Sequence, residues 1–255
     1  MTAVLETHAL SKSFGGFRAI ADVSLSLERG VRQALIGPNG AGKTTLINLL
    51  TGNLAPTSGR VWMAGRDVTS LSPRRRVGLG LARTFQINQL FGPLTPLQTV
   101  ALAIVERTGV SWNPWVRLDA MAAVAGEAMR RLGDLGLDDV ADAPTDTLPY
   151  GRQRLLEVCT ALAGEPRVLL LVEPAAGVPH GESGEILAVI DRLPRDVTVL
   201  LIEHDMDLVF RFAERISVLV GGSLLVEGDP DAVARDERVR AVYLGEGAVE
   251  AVADG

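Results

Sequence analysis

The sequence predicts an α/β fold whose parallel sheet presents a phosphate-binding loop. Residues Gly37 to Thr44 read Gly-Pro-Asn-Gly-Ala-Gly-Lys-Thr, a complete G-x-x-x-x-G-K-[ST] loop. An apolar run from Val31 to Ile36 precedes it as a buried strand, and Thr45 to Leu50 follows as a helix. Downstream, continuous apolar strands at Val168 to Val172 and Val197 to Ile202 flank a helix near Glu182 to Leu193, the alternation that builds parallel sheets.

The elements follow in order. From Val4 to Leu27, short alternating runs broken by Phe14-Gly15-Gly16 read as strands and turns, and Ser58 to Val68 reads as a hairpin around Ala64-Gly65. Arg74-Arg75-Arg76, after Ser72-Pro73, reads as a solvated first helical turn, with a phosphate or partner contact as the alternative. From Thr95 to about Ala163 the periodicity turns helical, with Leu97, Val100, Ala101, Ile104 and Val105 on one face and Met121, Val124, Ala128, Leu132 and Leu135 on another. Trp112 and Trp115 within this block read as local packing, with a contact to a membrane subunit as the alternative. Ile216 to Val220 and Ser223 to Val226 are further strands, and Asp229-Pro230 opens a terminal helix. The expected division is a nucleotide-binding core at 1–86 and 164–255 around an inserted helical subdomain at 87–163.

The loop points to a nucleoside triphosphate. Its glycines let the backbone curl so that N–H groups converge on phosphate oxygens at the positive end of a helix. Lys43 would reach the β- and γ-phosphates and the Thr44 hydroxyl would bind Mg²⁺. The 255 residues, 47% hydrophobic, suffice for a sizeable core. With 25 basic and 31 acidic residues, the net charge of −6 argues against nucleic acid held by a broad positive surface. The single cysteine, Cys159, excludes an internal disulfide and reads as a small buried hydrophobe. No apolar stretch reaches bilayer-spanning length, so a membrane role is expected to come through a partner.

A phosphate loop also needs a carboxylate for the metal and a group that orients water, usually at the end of a neighbouring strand. The Val168 to Val172 strand runs into Glu173-Pro174-Ala175-Ala176-Gly177, which resembles the Walker B segment of ATP-binding cassette (ABC) ATPases. Phe14 resembles that family's adenine-stacking aromatic, Gln86 in Arg83-Thr84-Phe85-Gln86 its Q-loop, and His204 in Glu203-His204-Asp205 its switch histidine. Leu148-Pro149-Tyr150-Gly151-Arg152-Gln153, at the head of a helix, resembles its signature. Within the family, Thr51-Gly52-Asn53, Pro174 to Gly177, Glu203 to Met206 and Ala241-Val242-Tyr243-Leu244-Gly245 are similar to the subfamily serving branched-chain amino-acid importers, and importers of urea and short amides look much the same.

The resemblance implies a cassette with an antiparallel β subdomain and an inserted helical subdomain. Its cofactors would be ATP and Mg²⁺, held by Phe14, Gly37, Pro38, Asn39, Gly40, Ala41, Gly42, Lys43, Thr44 and Thr45, with Thr44 and Gln86 toward the metal. Glu173 would act as general base or water-orienting carboxylate, and His204 would contact the γ-phosphate. Tyr150, Gly151, Arg152 and Gln153 would contact the ATP of a second ATPase subunit. The implied partners are that subunit, transmembrane permeases and, indirectly, a periplasmic or extracellular solute-binding protein, with the chain cytoplasmic and peripheral at the inner face of the membrane. Gln86 and the helical insertion would pass ATP-driven closure to the permease.

The pattern also breaks. Val172 stands where the family has Asp, Pro149 where Ser is frequent, Arg152 where Gln is usual, and Pro179-His180 where the D-loop carries Asp or Asn. These changes suit one unequal member of a heterodimer. The alternative function is a degenerate module that assembles with ATP while a paired subunit does most of the hydrolysis.

Overall fold

A computed structural model describes residues 3–84, 90–109, 118–178 and 180–243. Packing divides the chain into two compact units, one from Met1–Leu81 with Arg195–Gly255 and the other from Ala82–Pro194. In chain order the first unit opens with β1 (Ala3–Phe14), β2 (Phe17–Val23), β3 (Ser26–Glu28), β4 (Arg32–Ile36), α1 (Lys43–Thr51), β5 (Ser58–Met63), β6 (Arg66–Asp67) and α2 (Pro73–Val77). Next come β7 (Leu81–Arg83), α3 (Pro96–Thr108), α4 (Leu118–Asp134), α5 (Tyr150–Ala163), β8 (Val168–Val172) and α6 (His180–Asp191). The chain then returns to the first unit with β9 (Thr198–Ile202), α7 (Met206–Phe212), β10 (Arg215–Val220), β11 (Ser223–Gly228) and α8 (Pro230–Arg235).

The first unit holds an antiparallel sheet in the order β2-β1-β5-β6, with β3 also paired to β1. Its other strands run β11-β10-β4-β9. Here β10 and β9 flank β4 in parallel, and β11 folds back antiparallel on β10. Every residue of β4 and β9 is buried; β9 reads as an unbroken apolar or β-branched run, whereas β4 opens with Arg32 and Gln33, whose buried side chains donate to the Val197 carbonyl and the Ser217 hydroxyl. Leu46, Ile47, Leu49 and Leu50 give α1 its buried face.

The second unit packs α3, α4 and α5 against one another. Thr95 starts α3 with a reciprocal cap: its hydroxyl accepts from the Gln98 N–H at 3.2 Å, and the Gln98 side chain accepts from the Thr95 N–H at 3.0 Å. Val100 and Ile104 on α3, Val124, Ala128 and Leu132 on α4, and Leu156 and Cys159 on α5 are buried. Met121, placed on that stripe by periodicity, is instead 51% exposed; among the described residues the buried part of the stripe starts at Val124. Arg107 and Arg131 both pair with Glu127 and Glu165, tying these helices at one end. Burial alone would raise the Glu127 carboxyl, but Arg131 and Arg107 hold it below its ordinary value.

Arg76 corrects the sequence reading of a solvated arginine run. Arg74 and Arg75 are exposed, but Arg76 is 1% exposed. Its guanidinium donates to the carbonyls of Leu49 at 2.7 Å, Leu50 at 2.6 Å, Thr69 at 2.9 Å and Leu71 at 3.2 Å. The short α2 turns this one side chain inward onto the C-terminal end of α1, where helix carbonyls have no intrahelical donor. Burial lowers the guanidinium pKa. Replacing Arg76 with Met is expected to destabilise the protein by about 3 kcal/mol, because buried carbonyls lose their donor; urea unfolding of the variant against wild type measures this.

Candidate functional site

In the first unit the phosphate loop leaves the carboxyl end of β4 and enters α1. Two close approaches fix its course. A Cβ at Gly37 would lie 2.1 Å from the Leu219 carbonyl oxygen, and one at Gly42 would lie 2.7 Å from the Ala19 oxygen and 2.9 Å from Ile20 Cδ1. Gly42 also has φ of 104°, a left-handed value that an L side chain strains to adopt. The Ala41 N–H donates to the Pro38 carbonyl at 3.1 Å and the Gly222 N–H to the Ala41 carbonyl at 2.9 Å, pinning the loop at both ends. The Lys43 ammonium donates to the carbonyls of Gly37 and, at 3.0 Å, Pro38, so its charge sits over the loop's concave side.

Asn39, Gly40 and Thr44 are exposed and Thr45 is half-buried. A loop stripped of Cβ atoms at its tightest points, with a lysine folded across it and a threonine hydroxyl at the helix start, fits a triphosphate and its cation. Among the described residues no group of three His, Cys, Asp or Glu side chains could hold a metal ion. The exposed Thr44 hydroxyl at the start of α1 offers an oxygen beside the loop.

His204 reaches the same sheet edge. Strand β9 pairs in parallel with β4 in the register Leu35↔Ile202, so Gly37 and Glu203-His204 emerge from neighbouring carboxyl ends. Such ends are where ligands bind in open α/β sheets. His204 is not a helix cap, since α7 is capped by Asp205, whose carboxylate accepts from the Leu208 N–H at 3.1 Å. Its imidazole is 69% exposed, with Nδ1 3.6 Å from the buried Glu203 carboxylate, which also accepts from the His204 N–H at 3.0 Å. Phe14 faces solvent at the tip of the β1–β2 hairpin, 50% exposed, paired across the turn with Phe17 and overlain by Lys12 at 5.2 Å.

In the second unit β8 is wholly buried up to Val172 and delivers Glu173 at its end. Glu173 has φ of 44°, an unusual value for a residue with a side chain. The Val172 N–H donates to the buried Thr84 hydroxyl at 3.1 Å, and the Thr84 N–H donates to the Leu170 carbonyl at 2.9 Å. Thr84 was not singled out from the sequence, although a small hydroxyl residue inside Arg83-Thr84-Phe85-Gln86 is the one available sign of such a tie.

Helix α5 begins at Tyr150, with Pro149 as the N-cap rather than in the first turn. Proline has no side-chain oxygen for that position, so the first amides of the helix have neither an intrahelical acceptor nor a side-chain cap. Gln153 instead turns back, its Nε2 donating to the Leu148 carbonyl at 2.9 Å. Arg152 pairs with Asp139 at 2.5 Å and holds that carboxyl below its ordinary value, chiefly through the hydrogen bond itself. Arg154 and Glu157 form a buried pair at 2.8 Å, whose sign in the sequence is opposite charge at helical spacing. Gln86, Trp112, Trp115 and Pro179 lie outside the described residues.

The family model described as ABC transporter matches residues 20–176, and that described as branched-chain amino acid ATP-binding cassette transporter matches residues 223–249. The high-affinity branched-chain amino acid transport ATP-binding protein BraF of Pseudomonas aeruginosa is 36% identical over 250 residues, 95% of this chain and 98% of its own. LivG of Escherichia coli, of the same description, is 35% identical over 251 residues, again 95% and 98%. Among solved structures, the ADP conformation of MJ1267, an ATP-binding cassette of an ABC transporter, superposes with a TM-score of 0.82 at 31% identity, covering 96% of this chain and 100% of that one. A nucleotide-free cassette from an ABC transporter gives 0.81 at 30% identity over 94% and 98%.

Lys43→Met is expected to weaken nucleoside triphosphate binding by about 10-fold or more, the loss of at least one charge-assisted hydrogen bond to phosphate. Calorimetric titration with ATP, beside an unchanged circular dichroism spectrum, checks it.

Proposed function

The chain belongs to the ABC transporter ATP-binding family, and from that premise we propose that it powers an importer of branched-chain amino acids or related small amides. The observation that carries this reading is the emergence of the Gly37–Thr44 loop and His204 from adjacent parallel strand ends of one sheet. The C-terminal match at residues 223–249 supports the substrate class.

In this reading the core is 1–86 with 164–255, and the helical subdomain 87–163 carries the signature. Loop amides and Lys43 hold the triphosphate, and Phe14 stacks on the base. Thr44 and Gln86 would hold Mg²⁺, which would supply charge neutralisation at the phosphate oxygens. Glu173 accepts the proton of the attacking water or orients it, and His204 positions that water against the γ-phosphate. The uncapped amides at Tyr150, Gly151 and Arg152 face the γ-phosphate bound by a second, unequal ATPase subunit, so ATP joins the two surfaces and its hydrolysis parts them. Gln86 passes that closure to transmembrane permeases fed by a solute-binding protein. The chain works peripherally at the inner face of the membrane; among the described residues no helix is long and apolar enough to cross one.

Val172 favours a second reading, in which the chain binds ATP to assemble and its partner does most of the hydrolysis. Its isopropyl group is buried at the end of β8 and offers no oxygen to a cation. Losing one metal-supporting group costs about 10 to 100-fold in affinity or activity. Two substitutions separate the readings. Glu173→Gln should abolish ATP turnover by the assembled importer while ATP binding persists, and persistence of turnover would assign hydrolysis to the partner. Val172→Asp should raise turnover and Mg²⁺ affinity by about 10-fold; no gain removes the idea that this residue limits the site. Leucine uptake into vesicles carrying the complete importer tests the substrate class.

A further inference from the structure

The head of α5 contains a buried charge that no role above uses. Arg154 is 2% exposed, its guanidinium 2.8 Å from the Glu157 carboxylate and 5.1 Å over the ring of Tyr150. A buried ion pair is weak as a source of stability, because apolar side chains of similar volume usually do as well. What this pair supplies that apolar residues would not is a cation fixed over the face of an aromatic ring.

The ring it fixes lies against the turn that follows β8. A Cβ at Gly177 would stand 3.2 Å from Tyr150 Cε1 and 3.6 Å from its hydroxyl oxygen. That turn is built from the Glu173 carbonyl, which accepts from the Ala176 N–H at 3.0 Å, and the Ala175 carbonyl, which accepts from the Val178 N–H at 3.2 Å. The same turn holds Glu173 at its positive φ of 44°. Such a conformation persists only where the surroundings impose it. Glu157, Arg154 and Tyr150 thus lead, within the second unit, from the first turns of the signature helix to Gly177, in the turn that opens at Glu173, the residue proposed as the catalytic carboxylate.

We propose that Arg154 is a positioning residue for ATP hydrolysis: through its hold on the Tyr150 ring it sets the turn that carries Glu173, coupling the head of the signature helix to the hydrolytic group. The proposal rests on the ATPase reading above for its consequence, and on the contacts themselves for its structure. Engagement of the helix head by a partner's nucleotide would then bear on the chain's own carboxylate, without any change at the phosphate loop.

Arg154→Met alone leaves the Glu157 carboxylate buried without its cation and is prone to misfold. The informative variant is therefore Arg154→Met with Glu157→Met, in the complete importer, accepted for kinetics only as folded protein judged by its melting curve. The expected result is kcat per folded molecule lowered about 10-fold, the loss of roughly one cation–π contact, with KM for ATP within about twofold of wild type. Hydrogen exchange at the Ala176 and Val178 amides should quicken about 10-fold while the α1 amides keep their rates. A purely structural role would lower the melting temperature and leave kcat per folded molecule and these two amides unchanged; either unchanged quantity overturns the proposal. If the wild-type importer itself hydrolyses no ATP, the ATPase reading falls, and the exchange rates still decide whether Arg154 sets the turn.

Discussion

The first unit depends on how closely two backbone segments approach the phosphate loop. The Leu219 carbonyl on β10 and the Ala19 carbonyl on β2 occupy the space that side chains at Gly37 and Gly42 would need. Glycine at these positions lets β4, flanked by its parallel neighbours, end directly in a loop whose amides turn toward one point. The Gly222 N–H, between β10 and β11, then bonds back to Ala41, so the far end of the sheet also braces the loop. A methyl group at either glycine would push the loop off both supports, and the helix that follows would lose its start.

Beyond the loop, buried polar side chains tie segments that apolar packing could hold only loosely. Arg76 gathers carbonyls from the end of α1 and from the chain leading into α2. Thr84 accepts the last amide of β8. Arg154 bridges a carboxylate and a ring. A hydrogen bond fixes direction and distance, whereas an apolar contact tolerates sliding, so these ties sit where the backbone leaves regular structure and its register matters most.

The fold was largely legible because its signals are local. Strands β8 and β9 are continuous runs of apolar or β-branched residues, the loop is a fixed spacing of glycines, and Asp229, directly after β11, caps α8. What the sequence hid depends on the third dimension. Arg76 is one of three consecutive arginines, and only the pitch of a five-residue helix decides that it turns inward while Arg74 and Arg75 stay in water. Met121 lies on the correct stripe but near a helix end where none of the described residues buries it. Periodicity reports the direction a side chain points, not whether anything lies there. The candidate site was proposed for the same reason as the loop, from short strings in order; the approach of Tyr150 to Gly177 was not legible, since it joins separate segments of the sequence through the edge of one ring.

Val172 shows how fold and chemistry separate at a single position. Its backbone N–H keeps the hydrogen bond to Thr84 that any residue there could make, and its side chain extends the apolar face of β8. Nothing in the packing of the strand requires an aspartate, and a buried carboxylate would carry a desolvation cost unless a cation or donor offset it. Selection for the fold therefore cannot maintain an acidic group at this site; only selection for metal handling could. The strand that delivers Glu173 is thus complete, in its packing and its hydrogen bonds, without an acidic side chain at its last position.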